Sequence, residues 1–503
     1  MRTARSIELI RPFWIGAAVV ALASAGAPAF DTGHHFDLTA AVLAEEGFDA
    51  TAIEIAQVAN WLTDYYTVSP TSRERVKSEV SQLHFDNLYR SQDVARYWGR
   101  LLGNAQNSIA EAARADDPLA LLTTLGVLLH AVQDFSAHSN WVELHRREIS
   151  APYRRETWLA DGAPDGAVVL TGSYPPHPSP PPDGHPEHGD YDSGLNKDSH
   201  ARPMWPEAYV FAYCTTHEVV ARVGAWADEA RPGTWAKVKR YRLDHVTRRG
   251  LDLDLKAARN ISMWVTGKGA AGHWKGSESG SAGFLSSLAL QWTTAPPSVI
   301  VQQLKKNAIQ ERLAPGLYSD QAPPPLARGP AFAGQRTVVE IGVTYLAEKR
   351  GGGGRRIDRA DKADLYSVTT VGGQRYVDRV LRGLQRYPNP WLTIHLADAA
   401  QAEIPVRLEV WDQDEVHGNN DDQCDVNPVA GKRELAFTVR VADESLHGDI
   451  QGVYNGPERP FEIAGAKADG MPVLLRGYVR VRALGNRVGD GVLAPKPAGE
   501  VAR

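Results

Sequence analysis

The stretch "LLHAVQDFSAHSNWVEL" (residues 128–144) continues an apolar helical pattern, yet it carries His130, Asp134 and His138, each four residues from the next. Steps of four residues turn an α-helix by only about 40°, so these side chains form a stripe about 12 Å long on one side. Imidazole and carboxylate groups suit zinc, and burying them without partners would be costly. The stretch therefore predicts a metal-binding helix in a hydrophobic core. The alternative is a set of core histidines satisfied by Asp134 and neighbouring backbone groups.

Residues 36–265 are predicted to be mostly helical, because apolar residues recur there at three- and four-residue intervals. The pattern is clearest in "ATAIEIAQVANWLTDYY", "RYWGRLLGNAQNSIAEAAR", "PLALLTTLGVLLHAVQDF" and "PEAYVFAYCTTHEVVARVGAWADEA". Pro118 suits the first turn of its helix. The segment 172–200 is rich in Pro, Gly and His, so it cannot be a regular element and is predicted to be a long surface loop or a lid.

After a Pro-rich linker the hydrophobic period changes to two, which is typical of β-strands. Strands are predicted in "RTVVEIGVTYL", "IPVRLEVWD", "RELAFTVRV" and "LLRGYVRVRAL". The predicted fold is therefore multidomain, with an all-α domain followed by an all-β sandwich. Its segments are a signal peptide (1–29), a helical domain (30–311), a linker (312–334), the sandwich (335–485) and a C-terminal tail (486–503).

The composition is that of an ordinary soluble globular protein, and the N-terminal segment predicts export. Of the 503 residues, 43% are hydrophobic and 23% charged, and the net charge of −5 gives no support for broad capture of nucleic acid. The two cysteines, Cys214 and Cys424, form no disulfide framework, and whether they pair stays open. Arginines precede the run "FWIGAAVVALASAGAPAF", which predicts a signal peptide and secretion rather than an uncleaved anchor. Cleavage after Ala29 would leave Phe30 first, with a competing site after Ala27.

Further ligand-type residues lie in three short motifs of the helical domain. They are "GHHFDLT" near the predicted mature N-terminus, "NWLTDYY" with Asn60 and Asp64, and "HFDN" with His84 and Asp86 at a helix start or loop. Each motif alone is weak, since single polar residues are common on helix faces and at caps. Together they supply enough nitrogen and oxygen ligands for more than one metal ion.

The motifs "NWLTDYY", "HFDN" and "HAVQDFSAHSNWVEL", in this order, resemble the heterokaryon-incompatibility Het-C family and its bacterial relatives. That family is in turn similar to the superfamily of zinc-dependent phospholipases C and single-strand nucleases, helical enzymes with a three-zinc cluster. The resemblance covers roughly residues 30–230. It implies zinc ligands, of which Asp64 would also activate water: Phe30 (through its amine and carbonyl oxygen), His35, Asp64, His84, His130, Asp134 and His138.

Two departures from that superfamily leave the number of zinc ions at two or three. Only three residues separate Asp134 from His138, where five are usual, and the last helical pair of ligands has no clear counterpart. His200 is the predicted last histidine. The alternatives are Glu143, His188, which begins an H-x-x-x-D pattern in a Gly-rich loop, and His217. Candidate substrate contacts are Asn60 and Asn140.

Two acidic clusters lie in predicted loops of the sandwich, "RIDRADKADLY" and "VWDQDEVHGNNDDQCD". Hard oxygen ligands in flexible loops are what calcium favours, although turn chemistry explains some of these aspartates. The spacing resembles that of C2 domains over residues 335–485, except that Asn420 occupies the position of the next ligand. The resemblance implies calcium-dependent attachment to lipid headgroups. The predicted calcium ligands are Asp358, Asp364, Asp412, Asp414, Asp421 and Asp422.

These patterns together predict a secreted, monomeric phospholipase C that uses zinc and calcium at a phospholipid membrane. It would cleave phosphatidylcholine-like lipids into diacylglycerol and a phosphorylated headgroup, and no nucleic-acid partner is expected. The chain has no G-x-S-x-G elbow, and neither cysteine has the setting of a nucleophile. The alternatives are a zinc-dependent single-strand nuclease on the same metal cluster and a non-catalytic Het-C-like interaction protein.

Overall fold

The described part of the chain forms a helical region and an antiparallel β-sandwich. The computed structural model describes residues 32–64, 81–145, 168–175, 180–189, 193–198, 200, 202–244, 248, 251–252, 308–313, 336–349, 364–378, 386–398, 401–412, 422–454, 456–466 and 471–484. Its helices are α1 (Thr32–Glu45), α2 (Ala50–Asp64), α3 (Ser91–Arg114), α4 (Pro118–His138), α5 (Trp141–His145), α6 (Trp205–Ala230) and α7 (Thr234–Lys239), with a 3-10 turn at Ser81–His84.

Helix α4 is the centre of the helical region. Pro118 occupies its first turn, and the Asp117 side chain caps it by accepting a hydrogen bond from the Ala120 amide at 3.0 Å. Every residue from Leu121 to His138 is buried, which makes α4 a core helix enclosed by other elements. Among the described helices, α4 is also the one that is long and apolar enough to cross a membrane. However, 89% of its apolar 18-residue stretch is buried inside the protein.

Helix α2 packs unusually close to α4. A Cβ added to Gly126 would lie 2.2 Å from the Ala56 carbonyl oxygen and 2.7 Å from the Ala59 Cβ. The absence of a side chain at Gly126 is what allows this approach. Asn60 lies one turn beyond Ala56, and His130 lies one turn beyond Gly126, so the close packing brings these two buried residues together.

The sandwich consists of two antiparallel sheets. One has the strand order β10-β11-β1-β4 and the other β3-β2-β5-β7-β8-β9, with β6 paired to β5. Alternate residues of β1 and β5 fill the core between the sheets. The strands are β1 (Arg336–Glu348), β2 (Leu365–Val371), β3 (Gln374–Val377), β4 (Arg386–Asp398), β5 (Glu403–Asp412), β6 (Asp422–Cys424), β7 (Leu435–Arg440), β8 (Ser445–Gly448), β9 (Gly452–Val453), β10 (Phe461–Ala464) and β11 (Val473–Leu484).

The four-stranded sheet also packs against the helices. Val338, Leu392, Ile394 and Tyr478 belong to the same buried cluster as the core of the helical region. A second, polar contact centres on Glu45 at the end of α1. Its carboxylate accepts hydrogen bonds from Tyr213 and His217 of α6 and, across the interface, from Tyr376 of β3 at 2.7 Å.

The predicted architecture of a helical domain and a β-sandwich is confirmed at this level. The four quoted helices correspond to α2, α3, α4 and α6, and the four quoted strands to β1, β5, β7 and β11. Helix α1 and strands β2–β4 are not predicted individually from the sequence. Cys214 and Cys424 are both buried, and no disulfide joins them. The predicted signal peptide and C-terminal tail lie outside the described residues, as does the linker apart from residues 312–313.

Candidate metal centre

Four buried or partly buried side chains converge on one point beside α4. The Nδ1 of His84, the Nε2 of His130 and the Oδ2 of Asp134 are 3.1 Å from one another in all three pairings. The other carboxylate oxygen, Asp134 Oδ1, lies 2.9 Å from the Nε2 of His35 on α1. Three elements thus bring nitrogen ligands to the two oxygens of a single carboxylate.

A second group lies around the end of the same helix. The Nε2 atoms of His138 and His188 are 3.2 Å apart, and His138 Nε2 is 2.9 Å from Asp198 Oδ1. Asp86 adds a further carboxylate, with its Oδ1 3.4 Å from His138 Nδ1 and 4.0 Å from His188 Nε2. All four side chains are buried.

The nitrogen and oxygen atoms of both groups have the spacing that the ligand atoms of a metal ion require. With zinc–nitrogen distances of about 2.0–2.1 Å, the ligand atoms of a tetrahedral site lie about 3.4 Å apart, close to the 3.1 Å edges around Asp134. Two sets, His35–His130–Asp134 and Asp86–His138–His188, each place three potential ligand atoms within 4.8 Å of one another. Asp134 Oδ1 and Asp86 Oδ1 are buried oxygens without a hydrogen-bond donor among the described residues. Both groups therefore fit a divalent cation.

The protonation states in the first group suit metal binding. Burial, with the nearby charges of His35 and His84, lowers the pKa of His130 to about 3 despite the attraction of Asp134. Burial opposes ionisation of Asp134, but the histidines around it outweigh that effect and hold its pKa well below the usual range. A neutral imidazole and an ionised carboxylate are the forms that bind a metal.

His138 is balanced differently. Burial opposes its charged form, but Asp198, Asp134 and Asp86 outweigh burial and raise the pKa of His138 well above its usual value. Its Nδ1 donates to the His84 carbonyl at 2.6 Å, which turns Nε2 towards His188 and Asp198. A cation bound between these groups would take over the charge of the imidazolium and release its proton.

The "HFDN" motif positions Asp86 through a strained backbone. Phe85 and Asn87 both have positive φ, 56° and 62°, a conformation that costs non-glycine residues about 1–3 kcal/mol each. Phe85 is fully buried against Tyr97 and Phe135. The Asn87 side chain bonds the backbone N–H and carbonyl of Tyr174 at 2.8 Å each. These contacts hold the turn that points Asp86 at His138.

Gly172 brings His188 into the second group. A Cβ at Gly172 would lie 2.5 Å from the His188 Cα and 2.7 Å from its nitrogen, so only glycine fits there. The Gly172 amide donates to the His138 carbonyl at 3.0 Å, and Ser173 pairs with residues 186–188 through backbone hydrogen bonds. The described parts of the 172–200 segment therefore include one wall of the site.

The predicted zinc ligands fall into three sets: those in the two groups, those outside the described part of the structure, and His200. His35, His84, His130, Asp134 and His138 lie in the two groups described above. Phe30 is outside the described residues. Asp64 ends α2, but its side chain is also outside the described part of the structure.

His200 lies in a different environment from the two groups. Its ring stacks on Trp391 with centroids 4.3 Å apart and contacts Trp205, and its Nε2 donates to the Pro390 carbonyl at 3.2 Å. Burial lowers the pKa of His200 to about 3, although the Pro390 bond opposes this. Of the alternatives, Glu143 pairs with Lys197 at 2.9 Å and His217 pairs with Glu45, whereas His188 lies against His138.

The two asparagines predicted to contact substrate are occupied by protein partners. Asn60 is fully buried and bonds His130, Thr39 and Gln133, so it supports a ligand instead of reaching a substrate. The side-chain oxygen of Asn140 accepts from the Leu170 amide at 3.0 Å, and its side-chain nitrogen donates to the Val168 carbonyl at 2.9 Å. It fastens the start of the segment that carries His188.

Three of the predicted calcium ligands lie at one end of the seven-stranded sheet. The Asp364 amide donates to Asp412 Oδ1 at 2.8 Å, and Asp412 is paired with Asp422 in the β5–β6 register. Asp412 is 1% exposed, whereas Asp422 is exposed to solvent. The other three lie outside the described residues: Asp358, Asp414 and Asp421.

Two participants are not predicted from the sequence as site residues. Asp198 follows a Gly-rich loop and carries no helical spacing to another ligand. Gln133 immediately precedes Asp134, and an uncharged amide gives no signal of a metal site. Asp86 is among the ligand-type residues of the "HFDN" motif, and its carboxylate lies in the second group.

Comparison with known proteins gives short or distant matches. No family model matches the chain. The von Willebrand factor A domain-containing protein 7 of Mus musculus is 30% identical over 173 residues, which cover 29% of this chain and 19% of that protein. The Homo sapiens protein of the same name is 30% identical over 195 residues, covering 31% and 20%. The chain thus spans about a fifth of the length of these curated relatives.

Similar solved structures have low scores. They include human GIVD cytosolic phospholipase A2 (TM-score 0.20, 14% identity, 30% of this chain and 17% of that chain). A C2 domain of plant Extended Synaptotagmin 1 matches at TM-score 0.19 and 12% identity, covering 29% of this chain and 93% of that chain. The alpha toxin from Clostridium absonum matches at TM-score 0.14 and 9% identity, covering 79% and 98%. Scores this low do not assign an activity.

Proposed function

We propose that this protein is a secreted, zinc-dependent phosphodiester hydrolase of the phospholipase C type. The observation that carries the proposal is the convergence of His35, His84 and His130 on the two oxygens of Asp134, beside a second group at His138. His84, His130, Asp134 and His138 belong to the motifs that resemble the Het-C and zinc phospholipase C families, and His35 is a zinc ligand that this resemblance implies. The predicted signal peptide supports the proposal of secretion.

The two groups supply what hydrolysis of a phosphodiester requires. Zinc held there would lower the pKa of a bound water towards about 7 and stabilise charge on a phosphoryl oxygen. Because Asp134 offers both of its oxygens to imidazoles, it could hold two ions side by side. Asp64, at the end of α2, is the proposed general base that accepts the proton of the attacking water.

The sandwich is proposed to act as a C2-like module that attaches the enzyme to lipid. Support comes from the spacing of the aspartates in the sequence and from the meeting of Asp364, Asp412 and Asp422 at one end of a sheet. Calcium bound by such oxygens could bridge them to lipid phosphate. Attachment of this kind favours phosphatidylcholine-like lipids in a membrane over a dissolved substrate.

The test is to purify the protein, measure its zinc content, and assay phosphocholine release from phosphatidylcholine vesicles with and without calcium. We expect release that requires zinc, rises with calcium, and is lost in Asp64→Asn. Asp93→Asn is the control, because the Asp93 carboxylate pairs with Arg90 at the start of α3 and belongs to neither group of ligands. It should leave release unchanged.

Two results would contradict the proposal. Zinc in the protein with intact lipid would exclude the phospholipase, and hydrolysis of single-stranded nucleic acid would then identify the nuclease alternative. Zinc without hydrolysis of any phosphodiester would favour the non-catalytic Het-C-like protein.

A further inference from the structure

Gln133 lies at the junction of the hydrogen bonds behind the first group of ligands. Its side-chain oxygen accepts from His35 Nδ1 at 2.7 Å and from the Asn60 amide at 3.0 Å. Its side-chain nitrogen contacts the hydroxyl oxygens of Thr39 and Thr216, at 3.2 Å each. Gln133 is 1% exposed, so its side chain forms hydrogen bonds with these groups instead of with water.

The orientation of the Gln133 amide is fixed by Thr216. The hydroxyl of Thr216 donates its one proton to the Ala212 carbonyl at 2.7 Å. Towards Gln133 it can therefore only accept a hydrogen bond, which requires the NH₂ end of the amide on that side. The oxygen of Gln133 must then face His35 and Asn60.

This orientation determines the tautomers of two histidines. Because a carbonyl oxygen only accepts, His35 must carry a proton on Nδ1, so the neutral ring presents the Nε2 lone pair to Asp134, 2.9 Å away. Asn60 must likewise turn its NH₂ group to Gln133 and Thr39, which leaves its oxygen facing His130 Nδ1 at 3.2 Å. His130 thus also carries its proton on Nδ1 and directs the Nε2 lone pair at Asp134 and His84.

We propose that Gln133 is a positioning residue that sets both His35 and His130 in their metal-binding tautomer before any ion arrives. The role in metal binding rests on the proposed function, whereas the hydrogen bonds that orient the two histidines do not depend on it. Outer partners of this kind typically change metal affinity by about 10–100-fold when they are removed. Gln133 contacts no substrate atom in this scheme and acts only through the two histidines.

The test compares Gln133→Met, which removes the amide at similar volume, with Gln133→Glu, which keeps an acceptor oxygen towards His35 and Asn60. Thr124→Val is the control, because it deletes another buried polar group of α4, whose hydroxyl donates to the Ala120 carbonyl of the same helix. Zinc affinity is measured by competition with a chelator. Ring tautomers are measured by NMR of metal-free protein with ¹⁵N-labelled histidine.

In the wild type and in Thr124→Val we expect protons on Nδ1 of both His35 and His130. Gln133→Met should mix the two tautomers and weaken zinc binding at this group by about 10–100-fold, and Gln133→Glu should restore the Nδ1 proton. A neutral ring with its proton on Nε2 at His35 or His130 in the metal-free wild type, or full zinc affinity in Gln133→Met, would overturn the inference. If the wild type binds no zinc, the proposed function fails, while the tautomers still test the role of Gln133.

Discussion

Single residues with the same chemistry serve different purposes in this protein, as His188 and His200 show. Each is 3% exposed. His188 faces another imidazole and the carboxylate of Asp198, whereas His200 is enclosed by the rings of Trp205 and Trp391. An imidazole among carboxylates can bind a cation, while one packed against two indoles contributes mainly to packing.

Replacing His188 and His200 one at a time should separate these two roles. His188→Ala should remove zinc from the second group and abolish hydrolysis, because no other described imidazole faces His138 Nε2. His200→Ala should keep the zinc content while lowering thermal stability through lost packing. Elemental analysis and thermal unfolding of both variants measure this difference, and loss of zinc in His200→Ala alone would contradict it.

The sequence could not distinguish these two histidines. The i, i+4 spacing on α4 predicted the stripe of His130, Asp134 and His138, since the period of a helix is a local property. The position of His188 depends instead on how the chain folds back on itself at Gly172, and no pattern within the segment shows this. The hydrogen bonds of Asn60 were also unpredictable, because they depend on the approach of α2 to α4.

At the scale of elements, glycine at two close contacts determines where the ligands lie. Gly126 allows α2 to approach α4, and Gly172 allows the following segment to cross against His188. The predicted helices and strands agree with the structure because long amphipathic patterns dominate their folding. Strand β4 was not predicted because its apolar positions belong to two cores: Leu392 and Ile394 lie in the core shared with the helices, while Ala397 lies in the core of the sandwich.

Gly172→Ala should displace His188 and weaken metal binding at the second group while sparing the first. The expected loss is about 10-fold or more in affinity, since a Cβ would lie 2.5 Å from the His188 backbone. Gly184→Ala is the matched control. Gly184 also belongs to this segment and has φ of 75°, so alanine there would bear backbone strain, but a Cβ at this position meets nothing within 4 Å. Equal zinc affinity in the two variants would contradict the role of Gly172.

At the scale of the whole molecule, Glu45 joins the helical region to the sandwich. Its Oε2 accepts from His217 Nε2 at 2.8 Å, and its Oε1 accepts from Tyr376 and lies 3.5 Å from His395 Nδ1. Burial alone would raise the pKa of Glu45, but these histidines and Tyr213 outweigh burial and lower it to about 2. The carboxylate is therefore ionised at the interface throughout the physiological range.

Glu45→Gln should weaken the coupling between the two parts of the protein. Calorimetry should show unfolding of the wild type in one transition and of the variant in two, or in one broader transition at lower temperature. Glu46→Gln is the matched control, because Glu46 bonds the other nitrogen of His217 at 2.8 Å, within the helical region. The same broadening in both variants would show that the His217 pairing, not the bridge, is responsible.

The stabilisation from this bridge should depend on pH with two limits. The stabilisation due to Glu45 is complete above the ordinary pKa of about 4.5 and is lost as pH falls towards about 2.

The upper limit comes from His217. Burial opposes the charged form of His217, but Glu45 and Glu46 outweigh burial and raise its pKa. The part due to His217 is complete below about 6.5 and is lost as pH rises through the raised pKa. We therefore expect the free energy of unfolding in urea to differ most between the wild type and Glu45→Gln at pH values between these two limits. A difference that does not change with pH would contradict this prediction.

The ligands of the candidate centre also come from distant parts of the chain. His130 and His84 are separated by 46 positions, and the His84–Asp134 and His138–His188 pairs by 50 positions each. Ions bound by these pairs would close long loops and act as reversible cross-links in a chain whose two cysteines form no disulfide. An ion that binds only the folded chain stabilises it by about 2.7 kcal/mol at 100 times its dissociation constant. Chelation would thus remove cross-links between distant parts of the helical region.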